Sequence, residues 1–452
     1  MSNIDLVVKG GKIATSHGII EGNLYVSSGR VVAIGRLDVP AAEVVDADGL
    51  FVLPGFIDSH VHFMDPGDLS REDFPTGSAA AAAAGVTTVI EHSHVYQIHT
   101  AEQLVEKAEY LANRSVVDFG LAAHFSPHSV DDVVNVWAAG ATFIKVFTCT
   151  THGVQAVETA RLAEAMKRLA GRDAVYLVHG EDESLTEHAE RVLKARSQAD
   201  GGVIPQWRSL LAEQVAVASV GMVSRALGGR VVFAHCSHPS VVEIISTLRN
   251  WGAKVWAETC PQYLYLFEDE VRQFGAFRKF TPPARAQSEA DLGAMWQLLR
   301  DGQIAYVASD HAPSTREQKE SASIWEAPFG LPGIDTTSAL LLDAALTGRI
   351  SILRFVELYS REPARIYGLY PRKGALLPGS DADFVLVDPS ARRVIRDETI
   401  LSKAKWSPFS GKEVQGAVVA TYLRGKKVAE NREVLAPPGS GRFLPGPGAR
   451  GG

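Results

Sequence analysis

The chain has 452 residues, of which 46% are hydrophobic and 21% are charged, and its formal net charge is −7. This composition is typical of a globular protein, and the length favours one large domain with a smaller companion. Because the basic residues are scattered and no apolar run reaches the roughly 18 to 20 residues of a membrane span, we expect neither nucleic acid nor a membrane as a partner. The start MSNIDLVVKGG lacks the pattern of a secretory signal, so we expect a cytoplasmic protein.

The first fifty residues contain short β-branched runs separated by glycine-containing turns, a pattern typical of β-strands. The same pattern returns near the end of the chain, in ADFVLVDPS and GAVVATYLRGKKVAENREVL. We therefore predict that residues 1–52 and 375–435 form one small β-domain.

Residues 53–374 alternate short apolar runs with longer segments of helical period, which is the pattern of repeated βα units. The strand candidates are GFIDSHVH, VTTVIEHS, VDFGLAAH, ATFIKVFT, AVYLVHGE, VVFAHCS, KVWAETCP and IAYVASDH. These eight units predict an α/β fold, a closed (β/α)₈ TIM barrel. The final residues 436–452 are rich in glycine and proline, and we expect either a flexible tail or an arm on a neighbouring subunit.

Polar and ionisable residues stand at the carboxyl ends of these runs, where the catalytic groups of such barrels converge. The candidates are His60, His62, Lys145, His179, His235 and Asp310. A single histidine at a strand end is more often a hydrogen-bonded core residue, but burying this many ionisable groups together is costly unless a cation organises them. Their convergence therefore predicts a metal site.

Lys145 is the unexpected member of this group, because an ammonium group is repelled by a metal ion. A purely structural lysine would extend its charged end to solvent. A lysine whose pKa is lowered by nearby cations can instead add carbon dioxide, and the carbamate can bridge two metal ions. We predict this modification.

These residues also carry a family resemblance. The segments LPGFIDSHVHFMDPG, GATFIKVF, LVHGED, FAHCSHP and ASDHAP resemble the amidohydrolase superfamily, and within it the dihydropyrimidinase, hydantoinase and allantoinase branch. The match extends over almost the whole chain, through WAETCPQYLYL, FTPPAR, FGLPGIDT and KWSPFSGKEVQGAVVATYLRG. The resemblance implies a barrel with a small β-sandwich built from both termini, and a homo-oligomer, either a dimer or a tetramer.

The resemblance further implies two divalent metal ions per chain. We expect zinc, although mixed histidine and carboxylate ligation also suits manganese, iron, cobalt or nickel. The first ion would be held by His60, His62 and Asp310, the second by His179 and His235, and the CO₂-derived carbamate of Lys145 would bridge them. The implied reaction is hydrolysis of a cyclic amide C–N bond. A metal-bridging hydroxide would attack the carbonyl, with Asp310 as general base and then general acid.

Differences from the family pattern narrow the substrate. Dihydroorotases carry an arginine at the position of Met64, and dihydropyrimidinases carry a tyrosine at the position of Thr150. We therefore expect a ureide, hydantoin or allantoin-like ring, with a dihydropyrimidine or a cyclic imide as the alternative. In related enzymes, backbone groups at the positions of Thr281, Phe329 and Gly330 pair with the substrate amide, so these residues are further candidates for substrate binding.

Two histidines in EHSHVYQIH replace the methionine-proline-leucine stretch that is usual in allantoinases. His92 and His94 are therefore either ordinary polar residues at a strand end or pocket residues that contact a different substituent. A distant alternative is a non-catalytic scaffold related to dihydropyrimidinase, but all the predicted ligands are intact. A deaminase usually works with one metal and no bridging lysine, so Lys145 argues against that class.

Overall fold

The computed structural model describes residues 4–37, 39–126, 130–320 and 323–450, so residues 1–3 and 451–452 of the predicted terminal segments lie outside it. The N-terminal strands are β1 (Ile4–Thr15), β2 (Gly18–Ser27), β3 (Arg30–Gly35), β4 (Ala41–Asp46) and β5 (Phe51–Pro54). The barrel strands are β6 (Phe56–Val61), β7 (Val86–Glu91), β8 (Asp118–Leu121), β9 (Ala123–His124), β10 (Ile144–Phe147), β11 (Val175–His179), β12 (Arg230–Phe233), β13 (Val255–Thr259) and β14 (Ile304–Val307).

Helices follow most of the barrel strands. They are α1 (Phe74–Ala83), α2 (Ala101–Leu111), α3 (Val133–Ala138), α4 (Thr159–Arg168), α5 (Glu183–Ala195), α6 (Val203–Trp207), α7 (Leu210–Leu227), α8 (Pro239–Asn250), α9 (Gln262–Tyr265), α10 (Glu270–Phe274), α11 (Glu289–Arg300), α12 (Arg316–Glu320), α13 (Thr337–Leu346), α14 (Ile352–Val356) and α15 (Glu362–Ile366). The C-terminal strands are β15 (Phe384–Val394), β16 (Glu413–Leu423), β17 (Lys426–Glu430) and β18 (Glu433–Val434).

Local sequence sets several helix ends. Thr100 caps α2 in a capping box with Gln103, whose side chain reaches back to the backbone at the start of the helix. The longest helix, α7, begins at Ser209, whose side chain accepts from the Ala212 amide. It ends at Gly228, which adopts the left-handed conformation with φ +73°.

The barrel is closed by parallel strand pairing. Strands β6, β7 and β8 pair in that order, and β9 to β14 pair in a second sequence, with only Ala122 between β8 and β9. The ring closes where the His62 amide donates to the His311 carbonyl at 2.8 Å, beside a parallel bridge between Val61 and His311. The predicted TIM barrel is confirmed, and the run VDFGLAAH forms two short strands instead of one.

The termini share a sheet within the described part of the chain. It has nine strands in the order β18-β17-β16-β15-β5-β1-β2-β3, with β4 paired to β1. Strand β15 runs antiparallel to β5, so that Phe384 faces Pro54 and Val387 faces Phe51. Alternate residues of these strands, such as Leu6 and Val8, point into a separate hydrophobic core. Since β5 extends to Pro54, the sheet reaches slightly beyond the predicted boundary at residue 52.

A buried lysine joins the barrel to this sheet. Lys373 is 2% exposed, and its Nζ lies 2.5 Å from Asp118 Oδ2, 2.6 Å from Asp383 Oδ2 and 3.0 Å from Asp381 Oδ2. Asp118 belongs to barrel strand β8, whereas both other aspartates precede β15. Arg424, which follows β16, also pairs with Asp118.

Segment Val203–Leu227 is long and apolar enough, by length and composition alone, to cross a membrane, although the sequence predicts no such run. It comprises α6 and α7, and 39% of its most apolar window is buried in the fold. Helix α7 packs against α8 and α4 in the outer layer of the barrel. Helices that are buried in a protein core can have the same length and composition as a membrane-spanning helix.

The glycine-rich tail contacts the barrel of its own chain. The Phe119 amide donates to the Arg442 carbonyl at 2.9 Å, and the Leu444 amide donates back to the Phe119 carbonyl at 2.7 Å. At Gly441 an added Cβ would lie 1.8 Å from the Val117 carbonyl oxygen, so only glycine permits this approach. The sequence predicts a flexible tail or an arm on a neighbour, whereas these residues form an added edge beside β8.

Candidate metal centre

The predicted ligands gather at one end of the barrel. His60 lies in β6, Lys145 in β10 and His179 at the end of β11, while His62, His235 and Asp310 follow the ends of their strands. All line one cavity, together with Phe147, His152, Phe280, Thr281, Ala312 and Gly330. The histidines and Lys145 are buried, and Asp310 is half-buried. The fold therefore brings together all six residues that the sequence singled out.

The ligand atoms form two groups. Asp310 Oδ1 lies 3.1 Å from His60 Nε2 and 3.4 Å from His62 Nε2. In the second group, His179 Nδ1 lies 2.9 Å from His235 Nε2. The rings of His60 and His235 are 5.5 Å apart between centroids, so the two groups adjoin.

Two of these residues have unusual backbone conformations. His235 has φ +40° and Asp310 has φ +50°, both in the left-handed region that a residue with a Cβ rarely adopts. Each such residue costs on the order of 1 to 3 kcal/mol, and such strain is concentrated at functional sites. With these backbone conformations, both side chains line the cavity at the mouth of the barrel.

The outward-facing ring nitrogens of the histidines are held by neighbouring groups. His60 Nδ1 lies 2.6 Å from Glu258 Oε1, His62 Nδ1 lies 3.0 Å from the His92 carbonyl oxygen, and His179 Nε2 lies 2.7 Å from Glu181 Oε2. Metal-ligating histidines usually donate their second nitrogen to a carboxylate or carbonyl, which fixes the ring and the tautomer. The donor set thus fits divalent metal ions, with Nε2 of His60 and His62 and Nδ1 of His179 turned to the cavity.

Glu258 holds more than one ligand. Its Oε1 also accepts from the His235 amide at 3.1 Å, and its Oε2 accepts from the Tyr306 hydroxyl at 2.6 Å. Burial by itself would lower the pKa of His60, but the charges of Glu258 and Asp310 raise that pKa to about 9. His62 has no such carboxylate behind it, and burial lowers its pKa to about 4.

Lys145 carries a buried amine. The residue is 1% exposed, and among the described residues its Nζ forms neither a hydrogen bond nor a salt bridge; Nζ lies 5.1 Å from the centre of the Phe147 ring. Burial lowers the pKa of Lys145 to about 8, and the charges of Glu258 and Asp310 offset only part of this effect. A buried lysine with a lowered pKa has a reactive neutral amine, as carbamate formation requires.

Of the residues predicted to bind the substrate, some lie at the cavity and others lie away from it. Thr281 and Gly330 line the cavity, and Phe329 packs behind it, with its ring centroid 5.7 Å from that of His152. Met64 is buried outside the cavity lining, where its sulfur accepts from the Ser93 hydroxyl at 3.5 Å. Thr150 is exposed, and its hydroxyl donates to Glu183 at 2.6 Å.

Three residues of the site were not singled out in the sequence. Glu258 lies one residue before the end of β13, in the run KVWAETCP, so its position near a strand end was the available signal. Glu181 stands two residues after His179, and its pKa is about 2 because Arg208 and hydrogen bonds outweigh the effect of burial. His152 lies in the loop after β10, and nothing in its sequence context marks it as part of the cavity.

Comparison with known proteins places this geometry in a family. The model of the "Amidohydrolase family" matches residues 51–428, which is most of the chain. The chain belongs to the amidohydrolase family. The family resemblance inferred from the sequence is confirmed.

Individual amidohydrolases match over nearly their full length. The chain is 36% identical to "Dihydroorotase" of Halobacterium salinarum over 87% of this chain and 90% of that protein. It is 32% identical to "Allantoinase" of Rubrobacter xylanophilus over 98% of each. The solved structure of "L-Hydantoinase (Dihydropyrimidinase) from Arthrobacter aurescens" matches with a TM-score of 0.93 and 32% identity, covering 98% of this chain and 100% of that chain. The predicted metal-dependent cyclic amidohydrolase is confirmed as an enzyme class.

Proposed function

We propose that the cavity binds two divalent metal ions per chain. His60, His62 and Asp310 would hold the first ion, His179 and His235 the second, and the carbamate of Lys145 would stand between them. The observation that carries this proposal is the combination of converging ring nitrogens with second nitrogens held by Glu258, His92 and Glu181. Zinc suits such nitrogen and carboxylate ligands, and we propose it as the native metal.

The bound ions would polarise the amide carbonyl and acidify the attacking water. Asp310 faces the cavity as a carboxylate, because His60 and His62 hold its pKa well below the usual range against the effect of burial. At the Asp310 carboxylate a proton would be accepted from the attacking water and then donated to the leaving ring nitrogen. The water oxygen would bond to the amide carbon, and the C–N bond would break as the nitrogen takes the proton, which opens the ring.

At the rim of the cavity, we propose that backbone groups and not side chains contact the substrate. Gly330 has φ +114°, and an added Cβ would lie 2.3 Å from the Ala312 carbonyl oxygen, so the main chain itself forms this wall. In the loop after the neighbouring strand β13, the Thr281 hydroxyl donates to Glu181 Oε2 at 2.7 Å, which leaves its backbone for the ligand. We propose that these backbone groups pair with the cyclic amide of the substrate.

We propose a five-membered hydantoin or ureide ring as the substrate. The similarity to enzymes named L-hydantoinase and allantoinase supports this ring, and Thr150, which replaces the tyrosine of dihydropyrimidinases, bonds to Glu183 at the surface. Ring opening of hydantoin, allantoin, dihydrouracil, dihydroorotate and succinimide at equal concentration tests the choice. The five-membered ureides should have the highest kcat/KM, and fastest turnover of dihydrouracil would contradict this proposal.

Replacing the bridging residue tests the metal centre. Lys145→Ala removes the only proposed ligand shared by both ions, so metal content should fall from about two ions per chain to below one, with a loss of activity of at least about 1,000-fold. Lys167→Ala, at the exposed end of α4, is the matched control and should leave both values unchanged. Elemental analysis of protein purified without added metal gives the measurement. Full metal content and activity in Lys145→Ala would exclude the bridging role.

We further propose a homo-oligomer, a dimer or tetramer, that works in the cytoplasm. The division into a β-sandwich of both termini, a central barrel and a C-terminal tail is proposed with the boundaries predicted from the sequence. Light scattering tests the assembly, and a monomer at micromolar concentration would contradict it.

A further inference from the structure

Arg71 is a buried cation beside the cavity. It lies in the segment between β6 and α1 and is 7% exposed. Among the described residues no carboxylate lies within salt-bridge distance of its guanidinium. Burial lowers the pKa of Arg71 to about 10, and Asp68 only partly offsets this effect. An unpaired buried charge is costly, so a counter-ion from outside the chain would be bound favourably.

The contacts of Arg71 leave part of its guanidinium available. Nε donates to the Pro313 carbonyl at 2.9 Å, Nη2 donates to the Phe329 carbonyl at 3.4 Å, and Nη1 lies 3.4 Å from His94 Nε2. A guanidinium has five N–H groups, so these contacts leave one on each terminal nitrogen. A guanidinium can bind a carboxylate through one N–H of each terminal nitrogen, with two parallel hydrogen bonds.

Two histidines connect this arginine to the metal centre. The His94 ring lies 4.7 Å from that of His152 and 5.4 Å from that of His62, between centroids. His152 lines the cavity and packs against Phe329. A continuous series of contacts therefore runs from the cavity through His152 and His94 to Arg71.

Two further buried amines lie on this side of the cavity, on Lys279 and Lys319. Lys319 Nζ donates to the carbonyls of Pro328 and Gly330 at 2.7 and 2.9 Å, and Lys279 Nζ donates to that of Ala327 at 2.6 Å. Among the described residues neither lysine forms a salt bridge, and Lys319 Nζ also lies 3.4 Å from the Lys279 carbonyl oxygen, so the two lysines adjoin. Burial, together with the charges of Arg71 and Lys279, holds the pKa of Lys319 well below its usual range.

We propose that the cyclic substrate carries an anionic substituent, a carboxylate, that Arg71 binds with help from the ring N–H groups of His94 and His152. This inference rests on the proposed ring-opening function and adds the charge of the substrate to it. The carboxylate is the counter-ion that the chain does not supply.

A pair of substrates of nearly the same shape tests whether the enzyme prefers a negatively charged substituent. Hydantoin-5-acetic acid and its amide have the same ring and nearly the same shape, and they differ in one negative charge. The kcat/KM of the acid should exceed that of the amide by about 10- to 100-fold, as expected for a charge-assisted pair of hydrogen bonds. Dihydroorotate and its amide provide the same comparison on a six-membered ring.

Arg71→Met should abolish this preference, and any loss that follows from freeing the Pro313 and Phe329 carbonyls should fall equally on the acid and the amide. Arg71→Lys keeps the charge but loses the paired hydrogen bonds, so its preference should be intermediate. Arg278→Met is the matched control, because Arg278 is already paired with Glu270 at 2.7 Å, and it should leave the preference unchanged. The acid-to-amide ratio is measured within each variant, so a loss of folded protein cancels.

The outcomes are distinct. If the wild-type enzyme opens the amides as fast as the acids, or if Arg71→Met keeps the preference, the anionic subsite is excluded while the ring-opening function stands. If a preference for the acid appears only with the six-membered ring, the subsite stands and the proposed ring size is wrong. If neither ring is opened in acid or amide form, the proposed function fails and the subsite fails with it.

Discussion

At the scale of single residues, the metal centre depends on groups that would not touch an ion. Glu258 connects the His60 ring, the His235 backbone and the Tyr306 hydroxyl, so that it fixes one ligand from each proposed ion. It acts through those residues and not on the substrate. Its negative charge also makes His60 a stronger ligand.

Glu258→Gln should weaken metal binding by about 10- to 100-fold, because the amide keeps the shape but not the charge that orients and polarises His60. The loss should appear as a higher metal concentration for half-maximal reactivation of chelator-treated enzyme, with kcat largely restored at saturating metal. Glu289→Gln, at the exposed start of α11, is the control. A variant with unchanged metal affinity would show that Glu258 only fills space.

The convergence of the six candidate ligands was predictable from the sequence, because each stands at or near the end of an apolar run and the ends of parallel barrel strands meet at one face. The contacts of Thr150 were not predictable. It follows β10 in a loop whose path is set by a tertiary contact with Glu183, and strand patterns carry no information about such contacts.

At the scale of elements, helix α7 supports the loop after β12. Glu213 on α7 accepts from the Ser237 amide at 3.0 Å and from the Ser237 hydroxyl, two residues after His235. Burial raises the pKa of Glu213 from its ordinary 4.5 to about 7, and Arg285 offsets only part of this effect. Between pH 4.5 and about pH 7, Glu213 is therefore more often protonated in the folded chain than in the unfolded chain.

The stabilising effect of a protonated Glu213 is complete below about pH 4.5 and is lost as the pH rises through about 7, a change of about 3 kcal/mol. Glu213→Gln cannot ionise and keeps an acceptor for the Ser237 amide. The Tm of this variant, relative to wild type, should therefore rise between pH 5 and pH 8. A difference in Tm that is constant over this range would show that Glu213 has an ordinary pKa.

The barrel strands were predictable as elements because each is buried on both faces and therefore reads as a continuous apolar run. The break at Ala122 in the third run, VDFGLAAH, was not predictable. It follows from the meeting of two sheets and not from the local sequence. The helices showed their period, but their ends depend on caps such as Ser209.

At the scale of the whole molecule, the barrel and the terminal sheet are joined by the buried charges around Lys373. Lys373→Met would leave Asp118, Asp381 and Asp383 together without their shared cation. Breaking a buried ion pair from one side costs about 3 to 5 kcal/mol, so a marked fall in Tm is expected. Lys426→Met, on the exposed part of β17, should have no such effect. An equal change in both variants would show that the junction is held by apolar packing instead.

The shared sheet of the two termini was predictable from its repeated strand pattern, whereas the course of the tail was not. Glycine and proline suggested a mobile segment, but Gly441 and Gly446 stand where the backbone of the barrel leaves no space for a side chain. Composition does not distinguish glycine that allows motion from glycine that allows close contact.

The pairing of β5 with β15 has a consequence for synthesis on the ribosome. Pro54 faces Phe384, so 330 residues must be made before the N-terminal strands meet their partner. At roughly 5 to 20 residues per second, this takes about 15 to 65 s, during which one edge of β5 has no partner. The N-terminal strands are thus made long before their sheet is completed, and we expect nascent chains that end before β15 to need protection from chaperones.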